Sequence, residues 1–425
     1  VSERNENRPG YKKTKVGWIP EEWELGTFSV LANVIMGQSP DGRSYNKTEH
    51  GMPLINGPTE FTKRHPVKKQ WTTKPTRVCQ SGDILLCVRG SSTGRINIAD
   101  DAYCIGRGIA AIRRKESRSC RFFIEHTLTA ITKQILRFTA GSTFPNIDKK
   151  TLSRIASAIP PLPEQKKIAE ILSTWEEAID QTRKLLDAKK RRKKALMQQL
   201  LAGKKRVKGF ERDEWFELPL GKLVTPLSRA VPKPNKPYLA IGLRSHGKGT
   251  FHRFVEEPEK VAMETLYRLE ADDIVVNITF AWEGAIAIAK AQDSGGLVSH
   301  RFPTYRMKKS ADLGFFRQLI ISKKLVWDLG LISPGGAGRN RVMSQKDFLK
   351  LKVCVPSKKL QEKTGEILSA ADNEIETLEK KLIALEKQKR GLMQKLLTGE
   401  VRVKVSARQK KKKNQPRTTR NTRTK

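Results

Sequence analysis

Residues 193–207 read KKALMQQLLAGKKRV, and residues 389–403 read KRGLMQKLLTGEVRV. With the offset held at 196 and no gap, residues 159–207 align with 355–403 and agree at 20 of 49 positions. Composition alone does not produce a match of that length. Neither Pro nor Gly interrupts residues 164–202, with Pro163 just before and Gly203 just after. These are helix start and stop signals, and 39 such residues would span ~58 Å as one helix. The second copy predicts a helix over 360–398, with Gly365 and Gly391 as weak points. Apolar residues recur at heptad spacing. The inner positions are Leu172, Ile179, Leu186, Lys193 and Leu200 in one copy, and Leu368, Ile375, Leu382, Lys389 and Leu396 in the other. They are identical pair by pair, as expected of side chains that must interlock. The pattern predicts that the two helices pack on each other, through Leu172, Ile179, Leu186, Leu200, Leu368, Ile375, Leu382 and Leu396. The alternative is that each helix only covers its own globular domain.

The rest of the chain falls into two stretches of similar length. Their openings echo, EEWELGTF at 21–28 and DEWFELPLGKL at 213–223. Both alternate short β-like runs with Gly, Pro and Asn turns, as in GDILLCVRGSSTGRINIA at 82–99 and DDIVVNITFAWEGAIAIAK at 272–290. The expected class is α+β. Two mixed domains with strand-rich cores, 1–158 and 204–354, are each followed by a long helix, 159–203 and 355–403, and the helices pair as an antiparallel coiled coil. Residues 404–425 carry many Lys and Arg and no acidic residue, which predicts a disordered basic tail.

Lys and Arg number 83 against 44 Asp and Glu, a net charge of +39. Such a field attracts polyanions, nucleic acid first. The opening VSERNENRPG has no apolar core of the signal-peptide kind, and no run approaches the roughly 18 apolar residues of a membrane span. A cytoplasmic setting is expected. The five cysteines, Cys79, Cys87, Cys104, Cys120 and Cys354, form no CxxC pair, which speaks against a zinc site or a disulfide framework. Catalytic patterns are missing. Gly242 and Gly247-Lys248 have P-loop spacing, but Gly249 stands where a hydroxyl must hold magnesium. There is no Asn-Pro-Pro-aromatic stretch, no HExxH among the six histidines and no Gly-x-Ser-x-Gly elbow. No cofactor or metal bound by this chain is expected.

What the globular stretches offer is basic, Gly-rich loops. Candidates for DNA contact are Lys63, Arg64, Arg89, Ser91, Ser92, Thr93, Arg95 and Arg107 in the first stretch. In the second they are Arg244, Ser245, His246, Lys248, Trp282, His300, Arg301, Arg339 and Arg341. Arg bridges guanine bidentately, and hydroxyls and backbone amides hold phosphate; ordinary solvated turns on a basic protein are the plainer account of any one of them. The helical run KKRRKK at 189–194 is either a solvated face or a contact with phosphate or an acidic partner.

These residues resemble the DNA-specificity subunit of type I restriction-modification systems. IPPLPEQKKIA at 159–169 leads into the long helix, LMQQLLAG at 196–203 ends it, and both recur in the second half. GDILLCVRGSSTG, RSHGKGTF at 244–251 and GLVSH at 296–300 are similar to family segments. One departure is PSKKLQ at 356–361 where the first copy has PPLPEQ, a less rigid junction. The resemblance implies two target recognition domains, each reading half of an asymmetric bipartite site, with the helices as a ruler for the unread gap. It implies double-stranded DNA as ligand and two modification subunits that use S-adenosylmethionine to methylate adenine. It also implies restriction subunits that use ATP and magnesium, and no catalysis by this chain. A specificity subunit of a system that cuts near its site, a nonspecific coiled-coil scaffold and a fused methyltransferase or nuclease are the competing accounts.

Overall fold

The structure, a computed structural model, describes residues 5–138, 146–335 and 341–405, the side chains of 133–138 excepted. Arg339 and all but the first two residues of the basic tail lie outside the described residues. The chain forms two compact units. Unit 1 comprises Val1–Gln181 with Leu382–Lys425, and unit 2 is Thr182–Lys381. Each long helix, Leu162–Leu200 and Lys358–Leu397, gives one part to each unit.

The first helix begins at Leu162, so Pro163 lies in its first turn rather than before it. The early N–H groups of a helix have no internal partner, so a proline there sacrifices no bond. Gly203 and Gly399 follow the helices in the left-handed region, at φ +65° and +72°. The second helix runs unbroken through both expected weak points. Gly365 has a packing reason: a Cβ there would stand 2.8 Å from Asp312 Oδ1 and 2.8 Å from the Phe315 N. Its absence lets the helix Leu313–Leu319 approach end-on.

Within each unit the two helix segments run antiparallel. In unit 1, Glu164 meets Arg402 and Glu176 meets Lys389. In unit 2, Lys189 meets Glu374, Lys190 meets Glu379 at 2.6 Å and Lys193 meets Asp372 at 2.5 Å. Leu172, Ile179, Leu186, Leu200, Leu368 and Leu396 are buried, while Ile375 and Leu382 are half-buried. Leu172 and Leu396 belong to the main core of unit 1, beside Trp23, Phe28 and Ile168. The helices therefore both pair and cover the domains.

The two units share one plan. Unit 1 has an antiparallel sheet in the order Ile96–Ile98, Ile84–Cys87, Ile109–Arg114, Ala32–Met36. Unit 2 has Ile286–Ile288, Ile274–Val276, Thr304–Met307, Val224–Leu227. Alternate residues face two cores: Ile84 and Leu86 one, Leu85 and Cys87 the other; Ile274 and Val276 one, Val275 the other. That accounts for the unbroken apolar runs ILLCV and IVV. A five-stranded sheet follows in each unit, where Met52–Ile55 lies parallel to Tyr103–Ile105, and Tyr238–Leu243 parallel to Leu297–Val298. The echoing openings are strands Glu24–Thr27 and Trp215–Pro219, and each pairs with the strand that leaves its own domain.

Two repeat identities become physical here. Gln165 and Gln361 are buried, and each donates Nε2–H to a proline carbonyl, Pro160 or Pro356, at 2.9 Å. Each accepts a backbone N–H from the domain, Cys120 at 3.1 Å or Asp312 at 3.0 Å. One difference is as informative. Trp23 donates its indole N–H to Glu164 at 2.9 Å. The second copy has Leu360 at the matching position, and the buried Trp215 indole N–H has no partner among the described residues.

Candidate nucleic-acid interface

In each unit three loops meet where the parallel strand pair ends. In unit 1 these are the loop after Ile55, the hairpin tip between Cys87 and Ile96, and the loop after Ile105. Gly106 N–H donates to Ile55 O at 2.8 Å, Val88 N–H to Gly108 O at 2.9 Å, and Arg95 Nη1 reaches Pro58 O at 3.5 Å. In unit 2, Ile278 N–H donates to Arg301 O at 3.0 Å, His246 N–H to Glu283 O at 2.7 Å and Gly247 N–H to Gly284 O at 3.0 Å. The hairpins superpose by their bonds: Cys87 N–H to Arg95 O matches Asn277 N–H to Ala285 O. Gly94 then matches Gly284, at φ +91° and +72°. The same register sets Trp282 where unit 1 has Ser92, and the matching bonds Val88 N–H to Gly108 O and Ile278 N–H to Arg301 O set His300 where it has Arg107.

Unit 1 brings Arg89, Ser91 and Arg95 together on an exposed tip, with exposed Arg107 on the adjoining loop. Ser92 is half-buried, and buried Thr93 donates its hydroxyl to Gly90 O at 2.7 Å, holding the turn. Lys63 and Arg64 are placed elsewhere. Lys63 is paired with Asp180 of the first long helix, and Arg64 lies 5.7 Å above the Phe122 ring.

Unit 2 gathers Arg244, Ser245, His246, Trp282, Arg301 and Arg341. Ser245 donates to Glu283 at 2.6 Å, and His246 sits at φ +62°. Arg301 reaches the Thr279 hydroxyl at 3.4 Å, and Arg341 lies 5.2 Å above the Trp282 ring. Arg244 lies 5.4 Å above Phe251 and donates to Thr250 O at 3.0 Å. The Phe251 ring in turn covers Gly242, where a Cβ would be 2.3 Å from it. Lys248 and His300 are exposed on the same loops.

The sequence did not single out the buried carboxylate that ties down the strand after Lys248. Buried Asp293 accepts from His252 Nε2 at 2.7 Å, Thr250 Oγ1 at 2.9 Å and Lys290 N at 2.8 Å. Burial alone would raise its pKa; the Lys290 N–H, then His252 and Thr250, outweigh it and hold the carboxyl below its usual range. Nor were Trp327 and Leu331 singled out, although in KKLVWDLGL at 323–331 they lie on the face away from Leu325 and Leu329 at helical spacing. The run KKRRKK is half spent inside the helix pair, since Lys189, Lys190 and Lys193 are ion-paired with the second helix.

Among the described residues no His, Cys, Asp and Glu cluster could hold a metal ion, and no helix is long and apolar enough to cross a membrane. Burial pushes the Cys79 thiol up to about 12, far from a nucleophile.

The type I restriction modification DNA specificity domain matches residues 20–188 and again 222–387. The MjaVIII type I restriction enzyme specificity subunit of Methanocaldococcus jannaschii is 25% identical over 407 residues, 91% of this chain and 94% of its own. The putative MjaX specificity subunit of the same organism is 40% identical over 201 residues, and there the chain spans only about half, 47%, of the relative's length. The crystal structure of the type I restriction-modification S subunit from M. genitalium shares the fold, with TM-score 0.54 and 17% identity over 88% of this chain and 96% of that one. The HsdS subunit from Thermoanaerobacter tengcongensis does so with TM-score 0.51 and 14% identity over 90% and 98%.

Proposed function

Because the chain belongs to the family of the type I restriction modification DNA specificity domain, of which it carries two copies, we propose that it binds an asymmetric bipartite duplex site, one half per unit. It is the subunit that chooses the sequence and does no chemistry itself. Modification subunits holding S-adenosylmethionine methylate adenine, and restriction subunits using ATP and magnesium cut; both assemble on this chain in the cytoplasm. The observation that carries this reading is the recurrence of one three-loop cluster in both units. The frame is the same twice, while the side chains on it differ: Arg89, Arg95 and Arg107 in unit 1, Arg244, His246, Trp282, Arg301 and Arg341 in unit 2. A repeated frame with divergent tips suits two readers of two different half-sites. Arg and Lys supply phosphate affinity, and the tips supply discrimination of about 1–3 kcal/mol per good bidentate base contact.

The test is domain exchange. Residues 1–158 are replaced by the matching domain of a relative with another target, and the chimaera is expressed with its modification subunit. Methylome sequencing should show one half of the methylated site changed to the donor's, with the other half and the gap kept. A change in both halves together refutes independent reading. Loss of all sequence preference favours the scaffold account.

A further inference from the structure

Unit 2 carries a cleft of about 670 Å³, within the size range of ligand sites. Trp282, Trp327, Leu331, His246, Lys323 and Arg341 line it, and among the described residues no carboxylate does. Trp327 is 70% and Leu331 68% exposed, one helical turn apart on Lys323–Leu331. The opposite face of that helix buries Leu325 and Leu329 in the core, so core packing does not explain the two exposed side chains. Large apolar groups left this open in a rim of cations mark a binding surface.

On the reading that unit 2 binds duplex DNA, we propose that this cleft takes up one base unstacked from the half-site that unit 2 reads. The Trp282 indole N–H is already given to Thr279 O at 3.2 Å. Trp282 therefore has no donor left for a base edge and offers only its π surface. Arg341 lies over that ring, and Lys323 and His246 stand beside it. Flat apolar surface with cations around it suits a nucleobase with its phosphate. An acidic protein segment would match the charge but leave the indoles without a flat partner. A base inside the duplex shows only its edges, so contact with the ring face requires that it leave the stack. Unit 1 has Ser92 at the position of Trp282 and a tip of small polar residues, so the two half-sites are handled differently.

The experiment uses the full chain with its modification subunits. The duplex carries the methylome-mapped site, with 2-aminopurine substituted one position at a time. Domain exchange identifies which half belongs to unit 2. Fluorescence should rise at a position in that half other than the methylated adenine, which the modification subunit itself unstacks. Trp327→Ala removes an exposed side chain that the core does not use, and should abolish the rise and weaken duplex binding about five- to a hundredfold. Trp282→Ala should do the same. With the methylated adenines set aside, site-specific binding with no rise at any other position overturns the proposal, as does such a rise that survives Trp327→Ala or that falls in the unit 1 half. A Trp327→Ala chain that binds DNA normally but no longer assembles with the modification subunits also overturns it, and assigns the face to a protein. Absence of any site-specific binding would remove the functional reading itself, a different result from the other outcomes.

Discussion

Glu164 is the buried carboxylate that closes unit 1, and removing it should open that unit alone. Its side chain is 5% exposed. It accepts the Trp23 indole N–H at 2.9 Å, Arg402 Nε at 2.7 Å and Arg402 Nη2 at 3.1 Å. Glu164→Ala leaves the Trp23 N–H buried without an acceptor, at about 1–3 kcal/mol. Breaking a fully buried ion pair costs about 3–5 kcal/mol. That value must be reduced here, because the Arg402 side chain is 34% exposed and keeps Glu22 at 2.6 Å. With the half-exposed pair discounted to about 1–2 kcal/mol, the sum is about 2–5 kcal/mol for Ala. Glu164→Gln retains one acceptor and should cost about 1–2 kcal/mol. Hydrogen exchange read by mass spectrometry resolves the two units. Peptides from 24–31 and 389–403 should lose protection in the order wild type, Gln, Ala, with 220–320 unchanged. An Ala variant within about 0.5 kcal/mol of wild type, or equal loss in both units, refutes the assignment. The cost is set against a natural reference, since unit 2 already tolerates an unpartnered Trp215 N–H beside its own helix pair.

Gly365→Ala drives a methyl group against Asp312 Oδ1 and the Phe315 N–H, and should destabilise unit 2 by about 1–3 kcal/mol in urea unfolding; an unchanged midpoint rules out the close approach. His126, 3% exposed, is held neutral by burial, with its pKa pushed down to about 4; Glu176 opposes this and Lys389 adds to it. An unfolded His titrates near 6.5, so this stability is complete above that pH and drains as pH falls toward 4, by about 3 kcal/mol at most. Burial of Glu125 raises its pKa and returns part of the loss as it protonates. His126→Gln should flatten the acid limb of the stability of unit 1, and an unaltered slope between pH 6.5 and 4 counts against this account.

The helix pair was legible because its constraint is periodic: residues that meet every seven positions must match, and Leu172, Ile179, Leu186 and Leu200 do so in both copies. The strand runs were legible where both faces are buried, as in ILLCV. The role of Gly365 was not, because a close approach is set by Asp312 and Gly314, about fifty residues away, and leaves no local pattern. The loops 89–95 and 244–248 were legible as basic and Gly-rich, but their convergence was not, since it depends on which strands lie parallel. Lys63 looked like its neighbours in composition, and only the fold shows that Asp180 holds it. Asp293 carries no signal in sequence: a lone Asp in a Gly-rich turn acquires meaning only when His252 and Thr250 arrive from another strand.

The core of unit 1 is shut by Met393, Leu396 and Val403, which pack among Trp23, Ile168 and Leu172. Unit 2 is one continuous stretch and has all its parts when residue 381 is made. On a ribosome adding about 5–20 residues per second, the first domain therefore waits on the order of 10–50 s for its last helix. Until then the seat of that helix lies open, with Glu164 lacking Arg402, as a surface for chaperones and proteases. A chain ended before Met393 would have an unfinished first domain beside a finished second one. The order of synthesis thus sets the order of completion: the second long helix, made after all of unit 2, is the element that closes the core of unit 1.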